Sequence, residues 1–352
     1  MNRLRELIGT PTALCRIALA SVIANVGIVI TGGAVRLTGS GLGCPTWPRC
    51  TEESYTTTPA MGVNGVIEFG NRLLTFAVGL VALLAIVSAL LQVHRHRRTV
   101  VLSIVVFAGI PAQAVVGGLT VLTNLNPWVV GCHFLVSMGV IAGAYALWRA
   151  ARADSAPLAR PDVTTWTAPA ALRTLGGLTV AATAVVLVLG VIVTGSGPHA
   201  GDSDARRTGL DPQAVAQLHA DGVFLLLGLT VGLLLATRAA NAPRTAARAA
   251  VTLFAIELAQ GLVGFVQYLT GLPVLLVAAH MAGACAVWLA SLSAYANLYR
   301  TFPRRLAPVR ADLPDALTRP QPREPNEHAL ANGEEALELP PASKKKKKVK
   351  VK

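Results

Sequence analysis

The chain has 352 residues, 53% of them hydrophobic and only 14% charged, where a soluble protein carries about 25% charged residues. That deficit, together with recurring apolar runs of ~20 residues, excludes a soluble globular domain, because each run is long enough to span a bilayer. The net charge of +13 marks no nucleic-acid surface: all seven lysines lie between Lys344 and Lys352, and the arginines cluster where apolar runs end.

The first run, 14–35, is too long for a cleaved leader and is followed by further spans, so it reads as a retained helix. Eight spans are expected, at 14–35, 66–92, 99–121, 128–148, 173–195, 215–237, 250–270 and 273–297. The fold class is an all-α polytopic membrane protein. One set of connections is arginine-rich, with Arg95, Arg97 and Arg98, then Arg149 and Arg152, then Arg238, Arg244 and Arg248. The opposite set mixes signs, as in Arg36 and Arg49 against Glu52 and Glu53. The positive-inside rule then makes both termini cytoplasmic in a cell membrane. From about Phe302 the composition turns to Pro, Glu, Ala and Arg without apolar periodicity, which predicts a disordered cytoplasmic tail over 301–352. Its polylysine end suits either solvent or anionic lipid headgroups.

Of five cysteines, Cys15, Cys132 and Cys285 fall in apolar runs and read as packing residues. Cys44 and Cys50 share the polar loop after the first span; six residues apart, they fit a metal site or a disulfide, and an external loop favours the disulfide.

The chain repeats itself. Gln113 and Gln260 each precede a histidine by twenty residues, His133 and His280, with glycines at Gly117 and Gly264 and Leu-Thr pairs at Leu122-Thr123 and Leu269-Thr270, all at an offset of 147. Asn71 aligns with His219 and Phe76 with Phe224 at an offset of 148. Ile30-Thr31-Gly32 matches Val193-Thr194-Gly195. Four spans per half is an even number, so the halves insert the same way round, as two tandem four-helix bundles related by a pseudo-twofold axis along the membrane normal. The expected domains are 1–150 and 151–300.

His133, His219 and His280 lie inside spans, where an ionisable side chain faces the bundle interior and needs a partner. His219 and His280 open alternate spans of one half; Asn71 and His133 open alternate spans of the other. Two histidines facing each other across a four-helix bundle are placed to ligate haem iron axially. Gly117, Gly118, Gly261 and Gly264 either admit a flat macrocycle to the backbone or pack helices together. The first half carries more: Glu68 shares a helix face with Asn71 and Arg72, where the second half has Ala216 and Ala220. Glu68 and Arg72 form either a simple i,i+4 pair or part of a site. His94 and His96 read as topology determinants, and His199 as a residue of loop structure or a contact to haem propionates.

The loop GGAVRLTGSGLGCPTWPRC (Gly32 to Cys50), the E-x-x-N-R string from Glu68 to Arg72 and the doubled four-span pattern resemble the haem A synthases of the cytochrome oxidase assembly family, in the bacterial form with a cysteine pair in the first external loop. The resemblance covers nearly all of 14–297. It implies oxidation of a methyl group of haem O to a formyl group, giving haem A for terminal oxidases. It further implies a haem b held by His219 and His280, a substrate haem site in the first half with Asn71, Arg72 and His133, a catalytic Glu68, and a Cys44–Cys50 disulfide over that site. The implied partners are a haem O synthase (protohaem farnesyltransferase), an electron-transfer partner and membrane lipid. Many members have histidine where this chain has Asn71, which leaves His133 as the one protein ligand expected for the substrate iron. The alternative functions are a two-haem membrane cytochrome b carrying electrons, for which Glu68 and Arg72 have no use, and a transporter, for which a midplane polar cluster is missing.

Overall fold

The computed structural model describes residues 6–155 and 166–299. The expected tail over 301–352 lies outside these residues. Among the described residues the secondary structure is helical throughout, with eight long helices and one short 3-10 turn. We number them α1 (Pro11–Leu37), α2 (Gly62–Leu91), α3 (Arg97–Leu122), α4 (Pro127–Ser155), α5 (Ala170–Ser196), α6 (Pro212–Ala239), α7 (Arg244–Leu269) and α8 (Val274–Ala296). All eight are long and apolar enough to cross a membrane. Phe224, Phe265, Leu269 and Leu275 stand exposed and line no part of the internal cavity, the kind of apolar surface a multi-pass membrane protein presents to lipid rather than to water.

The helix ends follow local chemistry. Thr10 caps α1, accepting from the Ala13 amide at 3.1 Å, with Pro11 at the first position. Asp211 caps α6 through the Gln213 amide at 3.0 Å, again followed by proline. These side chains satisfy amides that have no partner within the helix. The helices overrun the apolar runs that predicted them: α4 continues to Ser155 rather than stopping near 148, and α7 begins at Arg244 rather than near 250. Apolarity marks the bilayer-crossing part, while nothing in the arginine-bearing ends breaks the helix.

The internal repeat reaches the backbone. After α3, the Leu125 amide donates to the Thr120 carbonyl (2.8 Å) and the Asn124 amide to that of Val121 (2.9 Å). After α7, the Leu272 amide donates to Gln267 (2.7 Å) and the Gly271 amide to Tyr268 (3.3 Å). Both turns are Schellman caps, which need a left-handed residue and favour a hydrophobic one after it. Here both final leucines also adopt positive φ, 55° at Leu125 and 61° at Leu272. Leu125 accepts that conformation while buried against Ala200 and Ala205 of the α5–α6 loop.

Helices α1 to α4 pack with one another, as do α5 to α8; between these groups α1 meets α8, and α4 meets α5 and α8. At this seam the Trp288 indole donates to the Met138 carbonyl at 2.9 Å, and Met281 fills the space that Gly33 leaves open. The α1–α2 and α5–α6 loops meet at one end of the bundle, where the Gly41 amide donates to the Gly201 carbonyl at 2.9 Å. Cys285 is buried as expected and Cys15 half-buried, but Cys132 is exposed on the bundle's outer surface instead of packed inside it.

Leu125→Ile puts a β-branched side chain into a left-handed conformation and disturbs a buried contact. It should lower stability by about 1–3 kcal/mol, read as a lower midpoint of thermal unfolding in detergent.

Candidate functional site

A cavity of about 950 Å³ opens inside the bundle and draws its lining from both groups of helices. His133, His219 and His280 all line it, as do Glu68 and Asn71. The structure thus brings the sequence-predicted residues to one space.

Each histidine is held by the same two devices, or by one of them. The first is a glycine on a neighbouring helix. A Cβ at Gly117 would stand 3.2 Å from Cε1 of His133, one at Gly190 3.2 Å from Cε1 of His219, and one at Gly264 3.1 Å from Cε1 of His280. Any larger residue would push the ring aside, since interiors pack too densely to absorb an extra side chain. The second device is a glutamine. The Gln113 amide donates to the His133 carbonyl at 3.0 Å and the Gln260 amide to the His280 carbonyl at 2.7 Å. Gln113 also donates to the Ser137 hydroxyl. The twenty-residue Gln-to-His spacing of the sequence is therefore a hydrogen bond repeated in both halves. Of the four glycines read as either admitting a macrocycle or packing helices, Gly117 and Gly264 seat histidine rings, and Gly118 seats the Trp47 indole of the α1–α2 loop. Gly261 alone keeps open space above it and lines the cavity. Gly190 was not singled out by sequence reasoning, although it opens the string that ends in Thr194-Gly195.

The three imidazoles each bury an Nδ1 atom without a hydrogen-bond partner; the Val186 carbonyl lies beside the His219 ring outside hydrogen-bonding geometry. Among the described residues no cluster of three or more His, Cys, Asp or Glu comes together as a cage for a bare ion. Unpaired imidazoles spaced around an apolar cavity suit instead a large flat group that brings its own metal and lacks only axial ligands.

Glu68 is 5% exposed and sits in the second turn of α2. One carboxylate oxygen accepts from Arg72 Nη2 at 2.6 Å and Nε at 3.2 Å; the other accepts from the Cys44 amide at 2.6 Å. Arg72 donates further to the carbonyls of Cys44 (3.0 Å), Thr46 (3.1 Å) and Arg49 (3.2 Å). Cys44 and Cys50 are joined in a disulfide and both are fully buried. Glu68 and Arg72 form the i,i+4 ion pair, and the pair also fastens the disulfide loop over the cavity. Asn71 accepts from the Thr31 hydroxyl at 2.7 Å. His199 serves the loop, its Nε2 bonding the Leu272 carbonyl at 2.9 Å. Arg36 holds the same loop from α1, donating to the carbonyls of His199 (2.7 Å) and Thr194 (3.0 Å).

Sequence reasoning missed Glu257. It lies midway along α7, is 3% exposed and lines the cavity; one oxygen accepts from the Thr230 hydroxyl at 2.9 Å and the other is buried without a partner. A lone acid in an apolar span was the available signal.

Residues 15–292 match the cytochrome oxidase assembly protein family across most of the chain. The chain belongs to this family. Shorter segments resemble proteins named heme A synthase: 30% identity over 136 residues with that of Alkalihalophilus pseudofirmus, covering 38% of this chain and 45% of the relative, and 38% identity over 115 residues with those of Bacillus cereus and Bacillus anthracis, covering 32% of this chain and 36% of each relative. These matches thus span less than half the length of the curated relatives.

Arg72→Ala leaves Glu68 buried without its cation and frees three loop carbonyls. Breaking such a pair costs about 3–5 kcal/mol, so Cys44–Cys50 should become reducible under conditions that leave the parent disulfide intact, measured by alkylation of the released thiols.

Proposed function

We propose that the chain is a haem A synthase of the cell membrane that oxidises a methyl substituent of haem O to the formyl group of haem A. The observation that carries this reading is the cavity that Glu68 shares with three glycine-seated histidines, in a chain of this family and similar to proteins named heme A synthase. Replacing two methyl hydrogens by one oxygen develops positive charge at the methyl carbon as electrons leave. A buried carboxylate fixed by hydrogen bonds before the reaction starts stabilises that charge without reorganising. Glu68 meets this requirement, because the Cys44 amide and Arg72 hold both of its oxygens.

In this reading α1 to α4 (within 1–150) form the substrate half and α5 to α8 (within 151–300) the redox half, related by a pseudo-twofold axis. The packing of α1 against α8 and of α5 against α4 supports it, since these pairs exchange under such an axis. His133 would hold the haem O iron, and Asn71 and Arg72 complete that site. His219 and His280 would hold a haem b, which supplies one-electron redox chemistry when bound. The arginine-rich ends of the helices support a reading in which both termini are cytoplasmic. Haem O would come from a haem O synthase, and electrons would leave or enter through an electron-transfer partner.

Acid–acetone extraction of the purified protein, followed by chromatography, should yield haem b together with haem O, haem A or a hydroxylated intermediate. Haem b alone would favour an electron carrier and defeat the proposal. Glu68→Gln keeps an acceptor for the Cys44 amide but removes the charge; haem A formation should fall by about 10²–10³-fold with the haem b spectrum intact. His280→Ala should lose that spectrum.

A further inference from the structure

Helices α1 and α5 carry the same string, GIVITGG over 27–33 and GVIVTGS over 190–196. In α5 its first glycine, Gly190, seats the ring of His219, and its threonine turns back on its own helix, Thr194 donating to the Gly190 carbonyl at 2.7 Å. In α1 the corresponding glycine is Gly27, and a Cβ there would meet no atom within 4 Å. The repeat aligns Asn71 with His219, yet on α1 Asn71 lies against Gly32 rather than Gly27. An asparagine is too short to fill the place of an imidazole. Thr31, the counterpart of Thr194, has two acceptors in reach, the Ile28 carbonyl of its own helix at 3.2 Å and Asn71 Oδ1 at 2.7 Å, and the shorter contact is the one to Asn71. With Oδ1 turned to Thr31, Nδ2 has no acceptor among the described residues. Nδ2 lies near Gly32, where a Cβ would stand 3.8 Å from it, and both residues line the cavity.

We propose that the first half holds its haem iron by His133 alone, and that Asn71, oriented by Thr31, presents an N–H donor to a small oxygen ligand, water or dioxygen, at the position left open. The inference rests on the assignment of a haem site to the first half made above. It differs in substance from the second half, where both sides of the iron are closed by seated histidines. An amide nitrogen, whose lone pair is delocalised into the carbonyl, is a poor ligand for iron but a good hydrogen-bond donor. A donor held beside an open iron position decides what binds there.

The test uses the purified holoprotein, reduced with dithionite, and carbon monoxide as the probe. One of its two haems should bind carbon monoxide and give a difference spectrum, while the bis-histidine haem does not respond. Asn71→His should abolish that response and convert a high-spin ferric signal into a low-spin one, because it restores an imidazole at the position that the repeat aligns with His219. Thr31→Val and Asn71→Ala should both move the bound C–O stretch to higher frequency as the donor is lost, and an unmoved stretch would overturn the role of Asn71. Two haems per chain with no carbon monoxide response in the parent would overturn the inference alone. A single haem whose content and spectrum survive His133→Ala would overturn the assignment of a haem to the first half, and the inference with it.

Discussion

An imidazole inside a membrane bundle needs a gap in the helix opposite, and in this chain every intramembrane histidine has one. Gly117, Gly190 and Gly264 give up their side chains so that His133, His219 and His280 fit. Small residues usually let membrane helices approach one another; here they also make room for rings between helices that pack closely. The open volume that remains is the cavity. Gln113 and Gln260 add a fixed point, tying the backbone turn that bears each of two histidines to the preceding helix. Position and orientation are therefore set by the scaffold before anything binds, which is what axial ligation of a rigid macrocycle requires.

The second constraint is electrostatic. A carboxylate and a guanidinium at the edge of a bilayer lose hydration, and that loss is offset only if nearly every donor and acceptor finds a partner. Glu68 and Arg72 meet the condition through the loop: one amide and three carbonyls between Cys44 and Arg49 complete their coordination. The disulfide between Cys44 and Cys50 keeps those backbone groups in one short ring. Loop, ion pair and disulfide form one unit, and Trp47 seats that unit on α3 at Gly118. The carboxylate that faces the cavity is held rigid because it also fastens the lid above it.

The fold was legible because long apolar runs and arginine-bearing ends are one-dimensional signals. So were the paired glutamines and histidines, whose constant spacing turned out to be a hydrogen bond. What escaped was relational. The glycines near His133 and His280 were visible, but whether they faced a macrocycle, another helix or an imidazole depends on rotation about helix axes, which a sequence does not give. Gly190 serves His219 from a different helix, twenty-nine residues earlier, outside any local motif. The role of His199 depends on a contact with Leu272, a residue of another turn. The helix ends extended beyond the apolar runs because a bilayer boundary is not a helix boundary.

The two halves share a frame and differ in where each keeps its buried acid. In the first half the acid is Glu68, near the loop end of α2 and tied to Arg72; the second half has Ala216 and Ala220 there. In the second half it is Glu257, midway along α7 and bonded to Thr230; by the same repeat offsets the first half has Ile110 and Ala82, which share one apolar cluster. Each exchange is polar for apolar at an equivalent place, so neither disturbs the helix packing that both halves need. The charge landscape around each binding space can then differ while the seats for the histidines stay the same. In a low-dielectric interior a single fixed carboxylate dominates its surroundings. Moving the acid from mid-helix to the loop end therefore gives one half a carboxylate held beneath the disulfide loop and the other an acid buried midway along α7.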